Sequence, residues 1–297
     1  MKKRILIVWI LAVTLLLGGC IQPDPSHPLG TTTPVAVAPP LPPEPPVDHF
    51  YQDAVYVYQT DVDESLLTTE LNIDYLILAN KVYVLGADHA PANLTRLDTS
   101  IVIEWQEKIE GLYLESTAAF ALYEMIEEMK HAGVTDIWVT SAYRDYEYQQ
   151  KTFNKHKNSE QQTISDAAME YFGYEYIYNN YYTKGKTALS SADAEKVALS
   201  YSAAPGTSEH QTGLCVDFTT QSLWGALNTD FENTDAFAWL AQNAYKFGFI
   251  LRYPHGKESI TGYTYEPWHY RFVGREAATD MHCSGMTLEE YRGAVQE

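Results

Sequence analysis

Two separated segments of this chain bring together residue types that bind metal ions. The first, Ser208–Asp217, contains His210 and Asp217, and the second, Glu266–His269, begins and ends with a glutamate and a histidine. Two imidazoles and one carboxylate are protein ligands of the kind found in a catalytic zinc site with an open fourth position. The remaining carboxylate, Glu266, suits the general base that such a site needs. The fold must therefore bring these two segments to one place.

The residues around Asp217 favour a buried role for its carboxylate. Asp217 lies between Val216 and Phe218 in an apolar strand pattern, where an unpaired carboxylate is costly. Gly213 permits a tight turn that would carry His210 back towards this strand. The alternative interpretation is a surface histidine and an ordinary turn aspartate.

The second segment is predicted to bend at Pro267. A spacing of three puts two side chains on opposite faces of a regular strand. Pro267 breaks that regularity, so Glu266 would lie off the strand while His269 faces the metal. The alternative is a solvated glutamate and a histidine that packs beside Trp268 and Tyr270.

The N-terminus has the pattern of an export signal. A basic start, Lys2–Arg4, precedes the apolar run Ile5–Leu17, which is short for a membrane span. The run ends in Gly18-Gly19-Cys20, and small residues before a cysteine resemble the lipobox of bacterial lipoproteins. That resemblance implies a signal peptide at residues 1–19 and lipidation of Cys20, with an uncleaved transmembrane anchor as the alternative. We expect a lipid-anchored protein of the bacterial cell envelope, on the outer face of the cytoplasmic membrane.

Residues 20–47 are predicted to form a tether. Ten of the chain's 14 prolines lie between residues 21 and 47, and a segment with almost no large apolar residue cannot bury enough surface to fold. The rest is expected to comprise an N-terminal extension (48–98) and one catalytic domain (99–297). A tyrosine-rich insertion spans about residues 158–202 of that domain.

The net charge argues against one class of binding partner, and the cysteine content leaves one possible disulfide bond open. The formal charge is −19, and removal of three basic residues with the signal peptide takes it to about −22. Such a charge argues against nucleic acid as a partner. Cys215 and Cys283 either pair, which an exported protein permits, or stay free, with Cys215 as a buried thiol.

The pattern of apolar residues predicts an α+β fold. Helical and strand patterns alternate without a steady βαβ period, which favours one mostly antiparallel sheet flanked by helices. Helices are predicted from Thr117 to Gly133, from Asp145 to His156, and after caps at Thr234 and Thr287. Strands are predicted at Tyr75–Lys81, Ile137–Thr140, Leu214–Thr219, Phe249–Tyr253 and His269–Val273.

The motifs resemble those of one peptidase family. The pattern Ser208-x-His210-x-x-Gly213-x-x-x-Asp217, followed by Glu266-x-x-His269, closely resembles the VanY-like zinc D-alanyl-D-alanine carboxypeptidases, which share a fold and metal site with Hedgehog-type domains. Further matches are Ser141-x-Tyr143-Arg144 with Gln149, and the segments Pro205–Leu214, Phe247–Pro254 and Glu266–Gly274. The similarity covers roughly Leu71–Tyr291.

The resemblance implies one zinc ion held by His210, Asp217 and His269, with water in the fourth position. Glu266 would take a proton from that water and pass it to the leaving amine. The same resemblance places Arg144 on the substrate, where its planar fork suits a carboxylate or a polarised carbonyl. An ordinary surface salt bridge is the alternative for Arg144.

Four further residues are expected at the substrate. The resemblance places Gln149 and Ser208 on it, and Ser141 and Tyr143 are expected to shape the same wall. With the tether, the resemblance implies that the substrates are peptidoglycan stem peptides ending in D-alanine. A D,D-carboxypeptidase is the expected activity. The alternatives are an L,D-carboxypeptidase acting on tetrapeptide stems, an endopeptidase, and a non-catalytic wall-binding lipoprotein.

The chain departs from the family pattern in two places. Cys215 stands where family members often have alanine, and strand alternation would put its thiol on the same side as Asp217, near the metal. The tyrosine-rich insertion is longer than usual. It is either a lid or sugar-binding wall, or a surface loop that packs on itself.

Overall fold

A four-stranded antiparallel sheet forms the centre of the fold. The computed structural model describes residues 50–70, 73–102 and 111–294, all within one compact unit. The strands of the central sheet are β3 (Trp138–Ser141), β4 (Cys215–Thr219), β5 (Phe249–Leu251) and β6 (His269–Phe272), in the order β3-β4-β6-β5. Every pair of neighbours is antiparallel, which confirms the predicted sheet. A two-stranded sheet pairs β1 (Leu94–Arg96) with β2 (Tyr113–Glu115).

Nine α-helices surround these sheets in the described part of the chain. They are α1 (Ser116–His131), α2 (Tyr146–Glu160), α3 (Asp166–Phe172), α4 (Tyr174–Asn180), α5 (Ser191–Tyr201), α6 (Asp235–Asn243), α7 (Glu258–Thr261), α8 (Arg275–Ser284) and α9 (Leu288–Tyr291). None of the helices among the described residues is both long and apolar enough to cross a membrane. The predicted signal peptide, the tether and Cys20 lie outside the described residues.

Helix α1 supplies much of the main core. The predicted helical periodicity is confirmed, and its apolar face packs with the inner side chains of the central sheet and α6. Glu115 begins the helix, because its carboxylate accepts a hydrogen bond from the Ala118 amide, and a left-handed Gly133 follows its end. The buried apolar residues of α1 include Ala118, Leu122, Met125, Ile126 and Met129.

The predicted helix caps are present. The side chain of Thr234 accepts from the Phe237 amide at the start of α6. Thr287 and Glu290 form a complete capping box at α9. Asp145 caps α2 by accepting from Tyr148, which fixes the direction in which α2 leaves the end of β3.

The predicted strand at Tyr75–Lys81 is wrong. This segment is irregular, and its backbone carbonyls at Tyr75 and Ile77 accept from the guanidinium of Arg271 instead of a neighbouring strand. The Asn80 side chain accepts from the Val82 and Tyr83 amides and turns the chain. The apolar run is therefore buried by packing on side chains, and it does not extend a sheet.

The tyrosine-rich insertion is helical. It comprises α3, α4 and α5, which share a small core of their own around Ala168, Ile177, Tyr181, Ala194 and Val197. Much of the aromatic surface stays exposed, including Tyr174 and Tyr178, whose rings stack 5.8 Å apart. Cys215 and Cys283 are both free, the first buried and the second exposed.

Candidate active site

Three of the predicted site residues lie in one row across the central sheet. Ser141 on β3 pairs with Asp217 on β4, and Asp217 pairs with His269 on β6. Directly paired residues on antiparallel strands point to the same face. The sheet register alone therefore places a hydroxyl, a carboxylate and an imidazole side by side.

A short turn before β4 adds His210 to this row. His210 lies in the 3-10 turn Glu209–Thr212, which ends at Gly213 with φ 66° and ψ 16°. A Cβ at Gly213 would lie 2.7 Å from Cγ of Pro91, so both the left-handed backbone and the close neighbour require glycine here. This is the tight turn that the sequence predicts, and it directs the His210 ring at Asp217.

Both imidazoles contact the Asp217 carboxylate. His210 Nε2 lies 3.1 Å from Oδ2, and His269 Nδ1 lies 2.9 Å from Oδ1. His210 Nδ1 lies 2.6 Å from the Ala142 carbonyl oxygen, which can only accept, so this contact assigns a proton to Nδ1. In the neutral ring the lone pair is then on Nε2. All three side chains are buried.

The charge balance of this cluster favours a cation at its centre. Burial and Arg144 act to lower the pKa of His210, but Asp217 and Cys215 outweigh them and raise it to about 9. Burial acts to raise the pKa of Asp217, but the two imidazoles outweigh it and hold that pKa well below its usual range. Protons on the imidazoles or a metal ion would supply the positive charge.

Cys215 also belongs to the cluster. It lies two residues before Asp217 on β4, and its thiol, with one ring nitrogen each from His210 and His269, forms a group whose atoms all lie within 4.8 Å of one another. Burial acts to raise the pKa of this thiol, but the two histidines outweigh burial and lower it to about 7. The site thus offers two possible donor sets, His–Asp–His and His–Cys–His.

Glu266 lies beside the cluster, off the strand. Residues 266–269 form a turn at Pro267, as predicted, and the His269 amide donates to the Glu266 carbonyl. Glu266 Oε2 lies 3.9 Å from His269 Nδ1. Burial raises the pKa of Glu266 to about 7, which suits a group that both takes and gives a proton near neutrality.

Arg144 is held against the cluster by other predicted residues. Its Nε and Nη2 donate to Ser141 Oγ at 3.1 and 2.8 Å, and its Nη2 also lies 3.1 Å from Asp217 Oδ2. Its Nη1 donates to Gln149 Oε1, and Gln149 in turn donates to the Ala203 carbonyl after α5. Arg144 is therefore fixed in position while its side chain stays partly exposed.

All nine residues predicted for the active site line one cleft of about 790 Å³. That volume lies in the range of small-ligand sites. The nine are Ser141, Tyr143, Arg144, Gln149, Ser208, His210, Asp217, Glu266 and His269. Sequence reasoning missed other parts of the cleft, including Tyr148, His156, Tyr201, Tyr253 and Tyr263. The one sequence signal for the four tyrosines is the abundance of that residue, which does not show which rings face the cleft, and His156 carries no such signal.

A profile of the VanY family, described as D-alanyl-D-alanine carboxypeptidase, matches residues 111–275, more than half of the chain. The chain belongs to the VanY family. The matched segment begins before β2, ends at the start of α8 and contains all nine cleft residues predicted above. The resemblance inferred from the motifs is thereby confirmed, and the protein is an enzyme of the carboxypeptidase type.

Individual relatives agree with this assignment. The chain is 35% identical to YodJ of Bacillus subtilis strain 168, named as a carboxypeptidase, over 84% of this chain and 78% of that protein. It resembles the structure of the LdcB LD-carboxypeptidase with a TM-score of 0.57 and 35% identity, over 75% of this chain and 87% of the other. It resembles a VanY D,D-pentapeptidase from a VanB-type vancomycin resistance cassette, solved with Zn(II), with a TM-score of 0.52 and 32% identity, over 74% and 99% of the two chains.

Gly213→Ala should destabilise the protein more than Gly133→Ala. Both glycines have positive φ, so each alanine carries a backbone cost of roughly 1 kcal/mol or more. Only at Gly213 does the new Cβ also meet Pro91, whereas nothing lies within 4 Å at Gly133. Urea unfolding followed by tryptophan fluorescence measures the difference, and equal losses would show that Pro91 moves aside at no cost.

Proposed function

We propose that this protein is a zinc-dependent D,D-carboxypeptidase that removes the terminal D-alanine from peptidoglycan stem peptides. The observation that carries the proposal is the row of Asp217 and His269, closed by His210, at the floor of a cleft that also holds Glu266 and Arg144. This arrangement provides a cation site, a base and a fixed cation for the substrate within one cavity. Membership of the VanY family supplies the reaction class.

We assign the metal to His210 Nε2, Asp217 and His269 Nδ1. All three side chains are buried, and each of the two ring nitrogens lies about 3 Å from an oxygen of the Asp217 carboxylate. Neutral imidazoles would offer their lone pairs to the metal, and the carboxylate its negative charge. Nitrogen and oxygen donors of this kind suit Zn²⁺. When bound, zinc would supply Lewis-acid activation of water and of the scissile carbonyl. The Zn(II) in a related VanY structure supports this choice of metal.

Glu266 is placed to move the proton. Its carboxylate lies beside the cluster without being one of the three donors, and its raised pKa allows it to accept a proton from the attacking water. The same group then gives that proton to the amine of the departing D-alanine. Partial burial keeps this carboxyl away from bulk water during the exchange.

Arg144 is placed to bind the substrate's carbonyl oxygen or its terminal carboxylate. Ser141 and Gln149 hold its guanidinium at fixed distances, so little side-chain entropy is lost when a peptide binds. Tyr143 and Ser208 line the adjacent wall. A carboxypeptidase needs such a fixed cation, because its substrate carries a negative charge next to the bond that is cut.

An L,D-carboxypeptidase is the second candidate. The similarity to the LdcB LD-carboxypeptidase structure, at 35% identity, favours it. The similarity to a D,D-pentapeptidase structure and the description of the family favour the D,D reaction. The two reactions differ in the chirality of the residue before the cut, which the walls of the cleft must distinguish.

We also propose that the enzyme acts at the cell surface, held by a lipid on Cys20 to the outer face of the cytoplasmic membrane. The small residues before Cys20 and the proline-rich tether after it support this placement. A tether of this composition is extended and would let the catalytic domain reach stem peptides away from the membrane.

The reaction itself is tested with paired substrates. The zinc-loaded protein is incubated with a muropeptide pentapeptide and a tetrapeptide in parallel, and D-alanine release is measured. We expect release from the pentapeptide. Release from the tetrapeptide alone would establish the L,D reaction instead, and release from neither by a zinc-containing protein would overturn the carboxypeptidase proposal.

Glu266→Gln should leave zinc content unchanged and slow D-alanine release by roughly 10²- to 10⁴-fold, because the proton carrier is lost while the metal donors stay. Zinc is measured by atomic absorption and turnover by D-alanine release. Glu258→Gln, at an exposed position outside the cleft, is the control and should keep full activity. A fully active Glu266→Gln enzyme would remove Glu266 from the mechanism.

The donor set is tested by cobalt substitution. With His210, Asp217 and His269 as donors, the Co²⁺ protein should lack an intense near-ultraviolet sulfur-to-cobalt band, and Cys215→Ala should leave its visible spectrum unchanged. Asp217→Asn should weaken Co²⁺ binding, because the only anionic donor of the set is lost. An intense band that disappears in Cys215→Ala would show that the thiol of Cys215 binds the metal.

A further inference from the structure

Glu209 is a buried acid at the active site to which the proposed mechanism gives no role. The residue is 1% exposed, and it precedes His210 in the same turn. Its Oε1 accepts from Arg252 Nε and from Arg271 Nη1, each at 2.8 Å. Its other oxygen, Oε2, has no hydrogen-bond partner. An ionised carboxylate in a protein interior therefore has one of its two oxygens unsatisfied.

The unsatisfied oxygen faces an unsatisfied nitrogen. His269 Nε2 is also buried without a hydrogen-bond partner, and it lies 3.6 Å from Glu209 Oε2. A buried polar atom without a partner destabilises a fold, because the hydrogen bond that it loses with water is not replaced. The gap exceeds the usual length of an N–H···O bond by about half an ångström, so a small rotation of the ring would satisfy both atoms at once.

Such a bond would fix which nitrogen of His269 carries the proton. If Nε2–H donates to Glu209, Nδ1 keeps its lone pair, and Nδ1 is the nitrogen 2.9 Å from Asp217. His210 shows the same arrangement with its nitrogens exchanged, since Nδ1 faces the Ala142 carbonyl and Nε2 faces Asp217. In each ring, one nitrogen would donate to an acceptor (Glu209 or the Ala142 carbonyl), and the other nitrogen would direct its lone pair towards Asp217 and the metal.

The partners of Glu209 are themselves fixed in place. Arg252 donates Nη1 and Nη2 to Glu289 at 2.8 and 2.5 Å. Arg271 donates Nη2 to the carbonyls of Tyr75 and Ile77. Both arginines are fully buried. The network of Glu209, Arg252, Arg271 and Glu289 contains two charges of each sign, so it is neutral as a whole and holds the Glu209 carboxylate at a fixed distance from the His269 ring.

We propose that Glu209 is a positioning residue for the metal centre, which accepts a hydrogen bond from His269 Nε2–H and thereby directs Nδ1 at the metal. The inference rests on the proposed function, because it takes His269 as a metal donor. Partners behind a metal-bound histidine typically account for 10- to 100-fold in metal affinity. Glu209 acts through His269 and does not contact the substrate in this scheme.

The first test uses the wild-type protein loaded with zinc. Two-dimensional ¹H–¹⁵N NMR of the histidine rings, with His269 assigned by mutation, reports which nitrogen carries the proton. We expect His269 to be protonated at Nε2, with a proton signal shifted downfield by its hydrogen bond to a carboxylate. Protonation at Nδ1 would overturn the proposal, whether or not the enzyme turns out to release D-alanine.

The second test compares Glu209→Gln with Glu289→Gln. Both remove one charge from the same network, but Glu289 bonds to Arg252, whereas Glu209 lies 3.6 Å from His269 Nε2. In Glu209→Gln the two arginines retain the single amide oxygen, which turns the amide NH₂ towards His269 Nε2. We expect zinc affinity, measured by competition with a chromophoric chelator, to fall about 10- to 100-fold in Glu209→Gln and to change little in Glu289→Gln.

Equal losses of zinc affinity in the two variants would show that Glu209 serves only the stability of the network, and no loss in Glu209→Gln would equally overturn the proposal. If Glu209→Gln does not fold, Glu209→Asp keeps the charge and withdraws the carboxylate by one methylene. It should lose the downfield Nε2–H signal and bind zinc more weakly than wild type. Retention of both the signal and the affinity in Glu209→Asp would count against the proposal.

Discussion

The buried carboxylate of Asp217 is the interaction on which the site depends. It lies on the central strand β4, and its two oxygens contact His210, His269 and Arg144. The register of β3, β4 and β6 determines this position. A slip of one residue would turn Asp217 to the opposite face of the sheet and replace it with an apolar neighbour. The same backbone pairing therefore decides both the fold of the sheet and the chemistry of the cleft.

Local signs in the sequence indicate the proposed donors and base but leave ordinary surface or packing roles open, and the family resemblance is what selects between these interpretations. Asp217 interrupts an apolar strand, Gly213 marks a turn, and Pro267 marks a bend. Amphipathic periodicity and caps likewise predict α1, α2, α6 and α9, but not the insertion helices α3, α4 and α5, nor α7 and α8. The prediction of a strand at Tyr75–Lys81 is wrong, because an apolar run indicates burial but not which group donates hydrogen bonds to its backbone carbonyls.

The network around Glu209 could not be read from sequence for a related reason. Arg252 and Arg271 lie in or beside strands and are fully buried, yet a charged residue in such a segment more often faces solvent. Their common partner lies more than 40 positions earlier in the chain. Neither the spacing of these residues along the chain nor the amino-acid composition indicates such a contact. The pairing of the strands in the fold is what brings the guanidinium groups of Arg252 and Arg271 to the carboxylate of Glu209.

The row of Ser141, Asp217 and His269 belongs to the sheet, whereas parts of the cleft wall belong to the segments that connect the strands. These two parts of the enzyme can change at different rates in evolution. The row is built from backbone pairing near the middle of the sheet, whereas part of the cleft wall comes from α2, through Tyr148 and His156, and from the segment Tyr201–Ala203 at the end of the insertion. Insertions in those connections can alter which peptides enter while the residues of the row keep their spacing. The fold is therefore suited to diversify in substrate while it retains one reaction.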